Sequence, residues 1–209
     1  MTETSKISDT AKTALFMAII ILLSVTPLGY ISLGVINATT IQMPVIIGAV
    51  LFGWKKGAFL GGVFGITSLI KNTIQPNVTS FVFSPFVPVF GEESGSFFAI
   101  IISLLPRIMI GVIAALVFAL LSKTKIRTEI KAAAAGFFGS LTNTVLVMGG
   151  IYAFFGESYS AAKEIAYEAL LATVSATITG AGITEAVVSA VVSAAVCTAL
   201  IKYTNGRKS

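Results

Sequence analysis

NTIQPNVTSFVFSPFVPVFG, residues 72–91, is an uncharged run between Lys71 and Glu92. It is apolar enough for a membrane but is not a spanning helix. Pro76, Pro85 and Pro88 remove backbone donors and break helical hydrogen bonding. Ser84 and Val87 each precede a proline and are pushed toward extended conformations. Phe81, Phe83, Phe86 and Phe90 add large aromatic faces with no charge among them. Such a stretch folds down onto something, and in a membrane protein it reads as a lid over a cavity.

The surrounding sequence fixes the class. Of 209 residues, 56% are hydrophobic and 11% charged, and the mean hydropathy is +0.95. A soluble domain carries about 25% charged residues. No charge occurs in residues 13–54, 57–70, 108–122, 132–156 or 186–201. Crossing the hydrocarbon core takes about 20 apolar residues. The expectation is an all-α, polytopic membrane protein, with no cleaved secretory signal. The runs lack the strict alternation of a membrane β-barrel. His is absent and Cys197 is the single cysteine, so no internal disulfide is expected, and no His- or Cys-based metal site. Cys197 reads as a small core residue.

Six spanning helices are predicted, at about Asp9–Tyr30, Thr39–Phe52, Lys56–Ile70, Ser96–Leu121, Ile130–Phe155 and Thr184–Tyr203. They form one domain over residues 1–209, with a lid loop at about 71–95. A weaker segment at about 157–180, carrying Lys163, Glu164 and Glu168, reads as an amphipathic surface helix or a structured loop. Lys6, Lys12, Lys55, Lys56, Lys123, Lys125, Arg127, Lys131, Lys202, Arg207 and Lys208 all fall on one side of such a topology. The positive-inside rule makes that side, and both termini, cytoplasmic. The net charge of +5 therefore reflects topology and gives no reason to expect nucleic acid. The lid lies on the other, extracytoplasmic side.

Small residues recur every four positions at Gly53, Gly57, Gly61 and Gly65, at Ala186, Ala190 and Ala194, and at Ala14 and Ala18. That spacing lets helix backbones approach closely in lipid. The first two stripes read as internal packing. Ala14 and Ala18 read either as internal packing or as a groove for another membrane protein.

Arg107 is the costliest group. It sits within a predicted helix in LLPRIMIG, where a central Arg costs about 2.5–3.5 kcal/mol on insertion scales. Pro106 before it kinks the helix or frees a carbonyl that a partner must satisfy. Arg107 reads either as a positive group for an anionic ligand or as half of an ion pair with Glu185. Glu185 is also explained by the helix dipole alone. Asn143 reads as an interhelical hydrogen bond or a ligand contact. Asn37, Thr39, Thr40 and Gln42 cap the second helix or line a pocket. Lys71 and Asn72 close the third helix beside the lid, where Lys71 reads as snorkelling or as a site cation. All of these polar groups fall in the outer half. One apolar cavity with a few polar groups is what a small-ligand site looks like.

There is no G-x-x-x-x-G-K-[ST], G-x-S-x-G or H-E-x-x-H motif. Helix interiors hold no carboxylate chain for a proton relay, and the halves show no convincing repeat of the kind many secondary transporters carry. The chain reads as a solute binder with no visible energy source and no cofactor.

The runs INATTIQMPVIIGAVLFGWKKGAFLGGVFGITSLI, TSFVFSPF, LLPRIMIGV, GSLTNTVLVMGGIYAFFG and ITEAVVSAVV resemble the substrate-binding S-components of energy-coupling factor (ECF) vitamin transporters. Within that family they are most similar to the pantothenate subgroup. The resemblance covers nearly the whole chain. It implies six helices, capture of a vitamin from outside, and docking onto a membrane coupling protein with two cytosolic ATPases, whose ATP use topples the subunit so that its pocket opens inward. It implies docking through an A-x-x-x-A motif, matched by Ala14 and Ala18. It implies a site lidded by the loop after helix 3 with polar contacts from helices 4 to 6, and the polar convergence under the aromatic lid points to Asn37, Thr39, Gln42, Lys71, Asn72, Phe83, Arg107, Asn143, Tyr152 and Glu185. Arg107 or Lys71 would meet the carboxylate, Asn143, Asn37, Thr39 and Gln42 would bond hydroxyls or the amide, and Phe83 with Tyr152 would pack the apolar part. The family's Asn near the start of the last helix is replaced here by Gly182 or Thr184. The alternatives are an S-component for another vitamin, such as folate or riboflavin, a self-sufficient secondary transporter, or an intramembrane enzyme.

Overall fold

The computed structural model describes residues 3–33 and 36–206. Its elements are α1 (Glu3–Val25), a hairpin of β1 (Tyr30–Leu33) and β2 (Ile36–Thr39), α2 (Gln42–Phe52), α3 (Trp54–Ile74), α4 (Phe98–Ser122), α5 (Thr128–Ala162), α6 (Leu170–Thr177) and α7 (Ile183–Gly206). All six predicted helices are present. Among the described residues, three elements are long and apolar enough to cross a bilayer: α4, α5, and the stretch Tyr167–Thr204. α1 and α3, of 23 and 21 residues, have the length but are less apolar. α2 has 11 residues, about 16 Å at 1.5 Å per residue, and cannot cross alone.

Boundaries shift in four places. The first helix ends at Val25, not Tyr30, and the chain then turns into the antiparallel hairpin, with Tyr30 opposite Thr39 and Ser32 opposite Asn37. α2 consequently begins at Gln42 rather than Thr39. α3 runs one turn further, to Ile74. The expected surface segment at 157–180 is neither a separate surface helix nor only a loop. α5 extends to Ala162, a short turn covers Tyr167–Ala169, and α6 passes through a π turn at Ile178–Gly182 into α7.

α2 is the central element. It contacts α1, α3, α4, α5 and α7, and Pro44 through Val50 are all buried. A helix surrounded on every side needs no polar face, which is why its sequence is apolar all round. Between α2 and α3 the chain turns at Gly53 with φ of 87°, a conformation that glycine adopts without a steric penalty. α3 then packs on α4 through the glycine stripe. A β-carbon on Gly61 would lie 2.2 Å from the Arg107 carbonyl oxygen, and one on Gly57 2.8 Å from the Gly111 oxygen. This is the predicted internal packing. The Ala14–Ala18 stripe differs, because both residues are exposed on α1.

Two apolar clusters fill the bundle. One gathers Ile20, Val45, Ile46, Leu60, Phe64, Ile110, Ala132, Ala135 and Cys197, with Cys197 in the core as its surroundings suggested. The other, at the lid end, joins Phe81, Val82 and Val89 to Ala99, Ile102, Val147, Ile151, Phe155 and Leu170. The lid is therefore part of a core. Its aromatics divide: Phe81 is buried, edge-on to Phe155 at 5.8 Å, Phe83 is half-buried, and Phe86 and Phe90 are exposed. Its backbone needs few sheet or helix bonds because it folds on itself, with Val89 N donating to Ser94 O at 3.0 Å.

Candidate functional site

The polar groups that cost most to bury lie between the two clusters. On α4, Arg107 falls between Ile102 of one cluster and Ile110 of the other; on α5, Asn143 falls between Ala135 and Val147. The two residues are level. A β-carbon on Gly139 would lie 3.3 Å from Ile110 O, and one on Gly150 3.0 Å from Ile102 Cγ1. Asn143 lies between those glycines, as Arg107 lies between those isoleucines.

Arg107 is 7% exposed. Its Nη1 donates to Ile102 O at 2.6 Å. In a helix that carbonyl would accept from the amide of residue 106, and Pro106 has none. The guanidinium thus satisfies the carbonyl that the proline frees. Its Cζ lies 4.9 Å from the centroid of the Phe83 ring, and 5.7 Å from that of Phe64, within reach of a cation–π attraction. The lid meets the buried charge through Phe83.

Gln42, 1% exposed, joins three helices at the base of this layer. Its Nε2 donates to Ser140 Oγ on α5 at 3.0 Å and to Ser189 Oγ on α7 at 3.3 Å. Among the described residues, its buried Oε1 has no hydrogen-bond partner, and neither has Asn143 Oδ1. A buried polar atom without a partner costs about 1–3 kcal/mol, so the two acceptors, on neighbouring levels, are candidate ligand contacts. Asn143 lies one turn beyond Ser140 on α5, and Glu185 one turn beyond Ser189 on the antiparallel α7. Glu185 Oε1 accepts from Thr39 N at 3.0 Å, fastening the hairpin to α7.

Lid and helix end are bonded together. Asn72 Nδ2 donates to Ser68 O at 2.8 Å, and its Oδ1 accepts from Ser80 Oγ at 2.9 Å. Asn77 N donates to Ser80 Oγ at 2.9 Å. Thr73 Oγ1 and Ser84 Oγ lie 2.7 Å apart. Asn72 is thus an anchor for the lid.

The structure brings Gln42, Phe83, Arg107 and Asn143 to one layer, with Thr39 and Glu185 tied together beside it and Asn72 at the lid hinge. Two expected residues lie elsewhere. Lys71 lines a cavity of about 480 Å³ between the end of α1 and the end of α3, with Ser24, Thr26, Thr67 and Gln75. Tyr152 is 40% exposed beside buried Ile151, so it does not pack the apolar part of this layer. The Asn37 side chain lies outside the described residues. The expected asparagine near the start of the last helix has no room at Gly182, where a β-carbon would lie 2.8 Å from Thr144 Cγ2. Sequence reasoning missed Ser140 and Ser189, because a serine within an apolar helix carries no signal that distinguishes a hydroxyl bonded to another helix from a packing one.

The comparisons with known proteins agree with this architecture. A family model described as "ECF transporter, substrate-specific component" matches residues 9–197. The pantothenic acid transporter PanT of Lactococcus lactis subsp. cremoris is 38% identical over 175 residues, covering 83% of this chain and 87% of the relative. The pantothenate transporter PanT of Leuconostoc mesenteroides subsp. mesenteroides is 32% identical over 144 residues, 66% of this chain and 63% of the relative. Transporter relatives and apolar helices together make this a multi-pass protein of the cell membrane. The chain belongs to the family of substrate-specific components of ECF transporters.

Proposed function

We propose that this chain is the vitamin-binding subunit of an ATP-driven ECF importer and that its substrate is pantothenate. The observation that carries the reading is Arg107, buried beneath Phe83 and level with Asn143 Oδ1, with the second unpartnered acceptor, Gln42 Oε1, at the base of the same layer. Pantothenate is a carboxylate at one end with hydroxyls and an amide N–H beyond it. The planar guanidinium suits a carboxylate, and the two acceptors suit the donors. The relatives' names agree with this substrate.

A six-helix arrangement in which α2 crosses only part of the bilayer puts the eleven basic residues on one side, which makes that side and both termini cytoplasmic. Entry then runs from outside through the lid. Opening breaks the Asn72–Ser80 and Thr73–Ser84 bonds and lifts Phe83 from Arg107. Closing over the ligand excludes water, and the charge pair gains strength in the dry site. The exposed Ala14 and Ala18 offer the docking face for the membrane coupling protein, and two cytosolic ATPases supply the energy this chain has no motif to supply.

Binding of labelled pantothenate to the purified protein, competed with folate and riboflavin, tests the substrate. Saturable binding displaced by pantothenate and by neither rival is expected. Displacement by a rival instead, or uptake by the protein alone in liposomes without ATP, overturns the reading.

A further inference from the structure

Ser140 and Ser189 are fully buried, on α5 and α7, and 98 and 147 residues from Gln42 in sequence. Both accept from the same nitrogen, Gln42 Nε2. A primary amide has two N–H groups on one side and an acceptor oxygen on the other. In the structure both hydroxyl oxygens sit at the nitrogen, which turns the amide oxygen the other way. Among the described residues the oxygen has no partner, and Asn143 Oδ1 lies unpartnered about one helical turn further along α5 from Ser140.

We propose that Ser140 and Ser189 are specificity-positioning residues, which orient the Gln42 amide so that Oε1 accepts from the ligand. The inference rests on the vitamin-binding reading above and adds the chemistry of one subsite. The end of the ligand remote from its carboxylate must present a donor, a hydroxyl or amide N–H, to Gln42. An acceptor there, or a hydrogen in place of the hydroxyl, leaves Oε1 buried and unpartnered. A site built to bond a ligand hydroxyl rejects the analogue that lacks it more strongly than a merely apolar pocket would. Neither serine touches the ligand; each acts through the glutamine.

The test is binding of pantothenate, and of an analogue with a hydroxyl replaced by hydrogen, to wild type and to the Ser140→Ala/Ser189→Ala double variant. Wild type should prefer pantothenate. The double variant should bind pantothenate about tenfold more weakly, the scale of one hydrogen bond lost at a buried group, with the analogue's affinity nearly unchanged, so discrimination collapses. Equal weakening of both ligands, or unaltered discrimination, assigns the serines to packing and overturns the proposal. If the double variant does not fold, each single variant carries the same test, with a partial loss of discrimination expected and an unaltered ratio overturning it. Wild type that does not bind pantothenate defeats the functional reading, an outcome distinct from either.

Discussion

Arg107 Nη1 donates to the carbonyl oxygen of Ile102 at 2.6 Å, in place of the amide that Pro106 lacks. Proline and arginine thus form one device. The proline costs the helix a bond, and the arginine side chain, held by that carbonyl, is oriented in the layer between the two apolar clusters.

Pro106→Ala tests the device. Alanine restores an amide for Ile102 O and removes the proline's helix penalty, about 3 kcal/mol in a helix interior. The melting temperature should not fall. Pantothenate affinity should drop about threefold to tenfold, because the guanidinium loses its fixed orientation. Thermal unfolding beside equilibrium binding measures both. A lower melting temperature with unchanged affinity contradicts the account.

The lid hinge is tested at Asn72. Asn72→Ala removes the bond to Ser68 O and the bond from Ser80 Oγ. About 1–2 kcal/mol of lid closure should be lost, read as roughly tenfold faster ligand release in a chase experiment. Phe83→Ala should weaken binding by about 0.5–2 kcal/mol through the lost contact with Arg107. Release rates equal to wild type in both would mean that the loop does not gate the site.

Two neighbouring glycines give opposite predictions. A β-carbon on Gly61 meets Arg107 O at 2.2 Å, but one on Gly62 meets nothing nearer than 4.0 Å. Gly61→Val should destabilise by about 3 kcal/mol, since overpacking against backbone cannot relax by a rotamer change, and should shift Arg107 as well. Gly62→Ala should be neutral or stabilise by up to about 1 kcal/mol from helix propensity. Thermal unfolding of the two variants decides.

The proposed docking face is separable from the proposed site. Bulky substitutions at Ala14 and Ala18 should leave vitamin binding intact, because both residues are exposed on α1, yet abolish transport in the assembled complex. Transport that survives would remove α1 from the docking surface.

Much of this was legible in the sequence where burial carries a large cost. A charge inside an apolar run singled out Arg107, which the structure buries, and three prolines among phenylalanines singled out the loop whose Phe83 packs on it. The hairpin over Tyr30–Thr39 was not legible, because its residues are uncharged and continue the apolar run without a strong turn dipeptide. Tyr152 was misplaced because a helix face shifts by 100° per residue, so Ile151 is buried and Tyr152 is not. Lys71 turned out to line the α1–α3 cavity, in the extra turn of α3 that was not foreseen. Ser140 and Ser189 acquire meaning only through Gln42, a contact across three helices that no local pattern encodes.

The proposed vitamin site stands or falls with Arg107. Equilibrium binding of radiolabelled pantothenate to the purified protein, wild type against Arg107→Ala, tests it most directly. Wild type should bind saturably, and the variant should bind at least about tenfold more weakly, from loss of a charge-assisted bond in a buried site. Wild type without saturable binding, or a folded Arg107→Ala variant with undiminished affinity, would contradict it.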